Sequence, residues 1–336
     1  MSEFISLYSG SSGNSSVVRC GERYLIVDMG KGVRTTGAAL KELELNISDC
    51  DGILVTHEHS DHVKGLSTFL KKYPLPVYGA EETLEFLDAN GVVPASCDLT
   101  ALTPGREEDI GVFVVKAFPT SHDVPCVGYR IHTPDEKTMT IATDLGVLTP
   151  AVHEALSGCD LVALESNYDL HMLRSGPYPY YLRARIESVR GHLSNDECAA
   201  KLLELIQEGC KKFALCHLSQ ENNTPMLALQ TVFSTLGTAG VVPDKDCIVQ
   251  TQRRNEAPRW RSDTIKPEQE KEKSLCRTSW RWTPEPPRTA ASCSIRQARS
   301  AASRRRNLPS ITRDPAGWNT TPMRSGPPSW AWPSRP

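Results

Sequence analysis

The sequence predicts an α/β protein with its chemistry gathered at strand ends. Three observations carry this. An apolar run, Ile53-Leu54-Val55-Thr56, leads straight into His57-Glu58-His59-Ser60-Asp61-His62, and a helical pattern follows. A dense set of metal-ligand types therefore lies on the turn after a buried strand. Strand-like and amphipathic segments alternate from Phe4 to Val249 in two similar halves. Finally, His122, Asp144 and His217 each follow another strand-like segment. The C-terminal ends of strands are the usual place for a site in such sheets.

In chain order, Phe4 to Tyr8 reads as the first strand. The Gly/Ser stretch Ser9–Ser16 is a turn, or a nest in which Ser11, Ser12, Gly13 and Asn14 hold an anion. Val17-Val18 and Tyr24 to Asp28 are strand-like, and Gly30-Lys31-Gly32 opens a helix with Val33, Leu40 and Leu43 apolar. After the His/Asp cluster, Val63, Leu66, Phe69, Leu70 and Tyr73 share one face of a single helix, with Lys64, Lys71 and Lys72 opposite. Pro76 to Tyr78 is a strand, and Glu81 to Ala89 a helix stopped at Asn90-Gly91. Val112 to Phe118 is a strand that leads to Ser121-His122. Val127 to His132 and Thr138 to Thr143 form a hairpin around Pro134-Asp135-Glu136-Lys137, delivering Asp144. Thr149-Pro150 caps a helix that Gly158 ends. Asp160 to Leu164 is a strand that delivers Glu165. Ser194 and Glu197 have capping-box spacing, ahead of the stripe Cys198, Ala199, Leu202, Leu203 and Ile206. Phe213 to Cys216 is a buried strand ending at His217. Thr224-Pro225 caps a helix stopped at Gly237, and Cys247 to Val249 is a last strand.

The 336 residues suffice for a substantial core. The formal net charge of −2 hides an asymmetry, because residues 254–336 carry 14 Arg and 3 Lys against 2 Asp and 5 Glu, a net +10 that leaves −12 on the rest. That segment also holds all six Trp and half of the 24 Pro, without periodicity. Residues 1–259 are thus expected to fold as the globular domain. Residues 260–336 are expected to be a disordered basic tail, either a nucleic-acid arm or the product of a frameshift. The acidic body argues against a broad nucleic-acid surface, although Arg174, Arg183, Arg185 and Arg190 against Glu187 leave room for a narrow one. Eleven cysteines without C-x-x-C pairs suit a reducing compartment. With no basic leader and no 18-residue apolar span, the expectation is a cytoplasmic protein that makes no membrane contact.

Three of the nine histidines fall within six residues, which composition alone rarely produces. His57 and His59 are two apart and point the same way in extended chain. Asp61 and His62 come after the turn and face a second point. Imidazole with carboxylate suits Zn²⁺, Mn²⁺ or Fe²⁺. Alone, His122 or His217 reads as a satisfied polar residue and Asp144 as a turn former. Glu165 is a surface ion-pair partner, or the acceptor that fixes a histidine's tautomer. His192 merely precedes a helix, or is a general acid or phosphate donor. No nucleophile elbow is present.

The cluster matches the H-x-H-x-D-H motif of the metallo-β-lactamase superfamily, and the chain resembles that family from Phe4 to about Thr251. The stretches Glu165–Asp169, Gly176–Pro179, Arg185-Ile186, Gly191–Asn195, His217–Ser219 and Asn222–Pro225 resemble its YycJ/WalJ-type branch, relatives of the RNase Z and RNase J nucleases. The resemblance implies a four-layer αβ/βα sandwich with two mixed sheets. It also implies two divalent metal ions, Zn or Mn with Fe admissible. His57, His59 and His122 would hold the first, Asp61, His62 and His217 the second, and Asp144 would bridge. Asp61, Glu165 and His192 are the implied catalytic groups. The implied activity is phosphodiester hydrolysis by a hydroxide shared between the ions, as a 5′-to-3′ exonuclease with DNA favoured over RNA. A glyoxalase-II-like thioesterase, or another small-ester or lactone hydrolase, is the alternative, and a non-catalytic metal-dependent nucleic-acid-binding module the third reading. Tyr168 stands where many members have His. The 73 residues from Asp144 to His217 are too few for a β-CASP insertion. The oligomeric state stays open.

Overall fold

The computed structural model describes residues 1–252 and 259–261. The first half contains β1 (Ser2–Tyr8), β2 (Ser15–Cys20), β3 (Arg23–Val27), α1 (Val33–Glu42), β4 (Cys50–Val55), α2 (Ser60–Val63), α3 (Leu66–Leu70), β5 (Val77–Gly79), α4 (Glu81–Ala89) and β6 (Leu99–Ala101). The second contains β7 (Glu107–Ile110), β8 (Phe113–Pro119), β9 (Val127–His132), β10 (Thr138–Ala142), α5 (Pro150–Leu156), β11 (Leu161–Glu165), α6 (Leu170–Ser175), α7 (Tyr180–Ile186), α8 (Asn195–Gln207), β12 (Lys212–Cys216), α9 (Pro225–Thr238) and β13 (Ile248–Thr251). A last strand, β14 (Arg259–Arg261), returns to pair with β1.

The two sheets have seven strands each, in the orders β14-β1-β2-β3-β4-β5-β6 and β13-β12-β11-β10-β9-β8-β7. Each begins as an antiparallel meander and turns parallel, from β3 to β6 in one and from β10 to β13 in the other. Parallel pairs need crossovers, so helices cover the outer faces. The core follows the two-residue period of the strands. Leu54 faces the second sheet among Val115, Tyr129 and Ala163. Its neighbours Ile53 and Val55 point the other way, onto Leu66, Phe69 and Leu84. On β12, Ala214 faces inward while Phe213 and Leu215 meet Leu202 and Val232. The three apolar spaces make the αβ/βα sandwich, each fully buried Leu, Val or Phe contributing roughly 1.5–3 kcal/mol.

Three caps form as their sequences dictate, that of Thr224 by accepting from the Leu227 N–H. Thr149 accepts from the Val152 N–H, and Ser194 and Glu197 form a reciprocal capping box. The helix expected after the ligand cluster is instead two, α2 and α3, because the chain at Gly65 is taken by another loop. Gly65 N–H donates to Met29 O at 2.8 Å, and a Cβ there would lie 1.7 Å from Lys31 O. α9 runs one residue past Gly237, and β6, β7, α6 and α7 were not anticipated. The expected 259/260 boundary falls inside β14, and the rest of the tail lies outside the described residues. Among those residues no helix is long and apolar enough to cross a membrane, and nine cysteines are free thiols.

Candidate metal centre

Strand ends converge on one point. His57 and His59 leave β4 in extended chain, and α2 begins at Ser60, carrying Asp61 and His62. His122 follows β8, Asp144 follows β10, Glu165 closes β11 and His217 follows β12. Three of the strand-end residues turn the chain through left-handed backbone, Asp28 with φ 62°, Asp144 with φ 57° and His217 with φ 55°. Such non-glycine conformations cost on the order of 1 kcal/mol or more and persist where neighbours fix them. Here Asp28 N–H donates to Leu54 O at 2.8 Å, Leu145 N–H to Glu165 Oε2 at 3.0 Å and His217 N–H to Ser9 Oγ at 2.8 Å.

Donor atoms lie within 4.8 Å of one another in the groups His57/His59/His122, Asp61/His62/His217, His57/His62/Asp144 and Asp144/Glu165/His192/His217. His57 Nε2 and Asp144 Oδ2 are buried without a hydrogen-bond partner. Leaving such atoms unpaired is costly, and one divalent cation would satisfy both. The residues therefore fit a metal, with the nitrogen and oxygen donors that Zn²⁺, Mn²⁺ and Fe²⁺ accept.

The protein also sets which nitrogen of each ring faces the centre. Thr56 Oγ1 donates to Asp28 Oδ2 at 2.9 Å, so it accepts from His57 Nδ1 at 3.0 Å. Asp28 Oδ2 accepts from His62 Nδ1 at 2.8 Å, and Gly191 O from His122 Nδ1 at 3.2 Å. Glu165 Oε1 takes two rings, His217 Nδ1 at 2.7 Å and His192 Nδ1 at 2.8 Å. His59 is reversed, with Nδ1 3.4 Å from His122 Nε2 and Nε2 3.5 Å from Asp123 Oδ1, an ion-pair distance without a hydrogen bond. Outer partners of this kind fix tautomer and orientation.

Burial, reinforced by the neighbouring imidazoles, lowers the pKa of His57, and burial also lowers that of His122. Burial opposes charge on His62 as well, but Asp144 and Asp28 outweigh it and raise its pKa to about 9. Asp61 and Glu165 resist burial too, held below the usual carboxylate range by His217 and His62 in one case and by His192 and His217 in the other. A field that favours a proton at His62 also favours a cation there.

A model of the beta-lactamase superfamily domain matches residues 23–217. The chain belongs to the beta-lactamase superfamily. Within it, the exodeoxyribonuclease YycJ of Bacillus anthracis is 37% identical over 239 residues, covering 70% of this chain and 90% of that protein. The exodeoxyribonuclease WalJ of Streptococcus pneumoniae is 33% identical over 236 residues, covering 69% and 87%. These relatives place the chain in the YycJ/WalJ-type branch. The metallo-beta-lactamase fold protein YhfI of Bacillus subtilis matches the fold at a TM-score of 0.58 and 17% identity, over 77% of this chain and all of that one. The donor clusters and the superfamily agree on divalent-metal use.

The structure brings all seven expected ligand types together. Glu165 is fully buried beside His192 and His217, not on the surface. His192 lines a cavity of about 200 Å³ together with Asp61, Asp144 and His217. Of the Gly/Ser loop, Ser11 lines that cavity. Ser12 Oγ accepts from Lys31 Nζ at 3.1 Å, Gly13 packs on Gly30 and Lys31, and Asn14 Nδ2 lies 3.2 Å from Asp61 Oδ2 and 3.0 Å from His62 Nε2. Tyr168 is buried and bridges to Ser194, away from the cavity lining.

The residues 176–191 wall the cavity with Tyr178, Leu182, Arg185, Ile186 and Arg190. Arg185 pairs with Asp123, and Arg190 Nε donates to His122 O at 2.9 Å. Arg174 pairs with Glu187 at 3.2 Å. Two of the four arginines expected to supply positive field thus meet carboxylates. Sequence reasoning missed Asp28, Thr56, Asp123 and Asn167, whose Nδ2 donates to His217 O at 2.8 Å. The available signal was adjacency, since Thr56 precedes His57, Asp123 follows His122, and Asp28 ends a strand.

Proposed function

We propose that this chain is a dinuclear metal-dependent phosphodiesterase that degrades nucleic acid from the 5′ end, with DNA favoured over RNA. The observation that carries it is the meeting of two donor sets at Asp144 in a cavity that also holds His192. The likeness to proteins named exodeoxyribonuclease, over 70% of this chain and 90% of the first of them, supports the nuclease reading and the preference for DNA, and the thioesterase alternative is not favoured.

In this reading His57, His59 and His122 would hold one ion and Asp61, His62 and His217 the other, and Asp144 would serve both. Zn²⁺ or Mn²⁺ suits these donors, and Fe²⁺ is accepted. When bound, such a pair lowers the pKa of water and neutralises charge on the attacked phosphate. The chain's own groups do the rest. Glu165 holds His192 Nδ1, which leaves Nε2 for the cavity and stabilises the doubly protonated ring, so Nε2 can give a proton to the leaving oxygen. Asn167 and Glu165 together fix His217. Ser11 is the phosphate contact of the Gly/Ser loop, and Leu182 and Ile186 give the cavity its apolar lining. The free thiols support a reducing, cytoplasmic location.

The test is a substrate panel with added Mn²⁺ or Zn²⁺, comprising 5′-labelled DNA, RNA, bis-p-nitrophenyl phosphate and a thioester. Thioester turnover without phosphodiester cleavage would overturn the reading. His192→Ala should keep the metals and lose about two to four orders of magnitude in kcat on DNA. The loss should shrink on the nitrophenyl diester, whose leaving group needs little protonation, and equal losses would remove the proton-donor role.

A further inference from the structure

Tyr178, Tyr180 and Tyr181 put three of the chain's nine tyrosines within four residues. Tyr178 lines the cavity, whereas Tyr180 and Tyr181, which open α7, are 80% and 75% exposed. No residue of α7 is buried. The helix is held by polar ties, chiefly Arg185 to Asp123, so the two exposed rings do nothing for the core. Tyr181 and Arg185 are one helical turn apart and share a face. Arg185 and Leu182 line the cavity, so Tyr181 is one residue away from its lining.

The charge around these rings differs from the acidic body that carries them. Residues 174–190 are net +3, on a body of −12. Arg183 and Arg190 donate to backbone carbonyls, of Arg174 in one case and of His122 and Asp123 in the other. Among the described residues neither has a carboxylate ion pair, which suits their charge to phosphates. Aromatic faces beside arginines, continuous with a phosphodiester-cleaving cavity, match the chemistry of an unpaired nucleic-acid strand. Every base offers a π-face, and bases inside a duplex keep theirs covered.

Resting on the phosphodiesterase reading, we propose that Tyr180 and Tyr181 are a stacking platform for unpaired bases next to the scissile phosphate, with Arg183 and Arg190 along the backbone. The enzyme then selects single-stranded or frayed ends and accepts any sequence there.

The experiment uses the full chain with Mn²⁺ and a single-stranded oligonucleotide with 2-aminopurine near its 5′ end and phosphorothioate linkages. Binding should quench the 2-aminopurine. The double variant Tyr180→Ala/Tyr181→Ala should lose the quench, weaken Kd about 10-fold or more and raise KM on DNA more than it lowers kcat. The Phe/Phe double variant should restore both quench and affinity. Unquenched binding by the native chain, or Ala variants that bind and degrade the strand with native constants, would overturn the platform alone. A native enzyme that cleaves no nucleic acid would bring down the phosphodiesterase reading, and the platform with it.

Discussion

Most imidazoles around the centre have one nitrogen hydrogen-bonded by the protein, and the holder differs from ring to ring. His62 and His217 are held by buried carboxylates, His57 by a hydroxyl that Asp28 fixes, and His122 by a carbonyl. His59 Nε2 lies 3.5 Å from Asp123, which also pairs with Arg185 of α7. Asp123 thereby joins the cavity wall to the first donor set. Asp123→Ala should weaken retention of one metal equivalent by about 10- to 100-fold, the usual cost of losing an outer partner. Chelator competition followed by elemental analysis reads this, and Asp123→Asn should recover part of it. Unaltered retention in Asp123→Ala would show that His59 needs no such support. These partners were hard to see in the sequence. A ligand histidine is conspicuous beside another, but an aspartate that touches it only through the fold looks like any polar residue at a strand end.

The loops after β1, β3 and β4 are laced together by backbone bonds. Asn14 N–H donates to Asp61 O at 2.7 Å, Gly30 N–H to Asn14 O at 2.8 Å and Met29 N–H to His62 O at 2.7 Å. A Cβ at Gly30 would lie 1.9 Å from Asp61 O and 2.5 Å from Asn14 N. Gly30→Ala should therefore push the ligand turn out of place, at a cost of at least about 1–3 kcal/mol. Melting temperature and metal content should fall together. Gly32→Ala is the control, since nothing lies within 4 Å of its Cβ and its φ of −64° suits alanine. If both variants melt and bind metal alike, the lacing does not position the site. This lacing also explains what the sequence hid at the scale of elements. Period and caps gave α4, α5 and α8 because their signals are local. The split between α2 and α3 comes from a loop some thirty-five positions upstream, and β7, with Glu-Glu-Asp-Ile, is an edge strand with little apolar character to announce it.

At the scale of the molecule, the least legible feature is where the fold ends. The composition changes near Arg259-Trp260, yet β14 pairs antiparallel with β1 through Glu3↔Arg261, Phe4↔Trp260 and Ile5↔Arg259. β1 is buried along its whole length. Without β14 it would be an open edge with a hydrophobic strand behind it, a template for pairing with other chains. A short pairing of this kind is worth roughly 2 kcal/mol at about 1 kcal/mol per hydrogen bond, or about 4–8 °C of melting temperature for a domain of this size. Two truncations separate the strand from the basic segment beyond it. A chain ending at Arg261 should keep the melting temperature and the small-diester rate of the full chain. A chain ending at Gln252 should melt lower by that margin and aggregate more readily. Equal melting of the two truncated chains would show that β14 adds nothing to stability. A drop already present at Arg261 would show that residues 262–336 support the fold, and that the basic segment is no appendage.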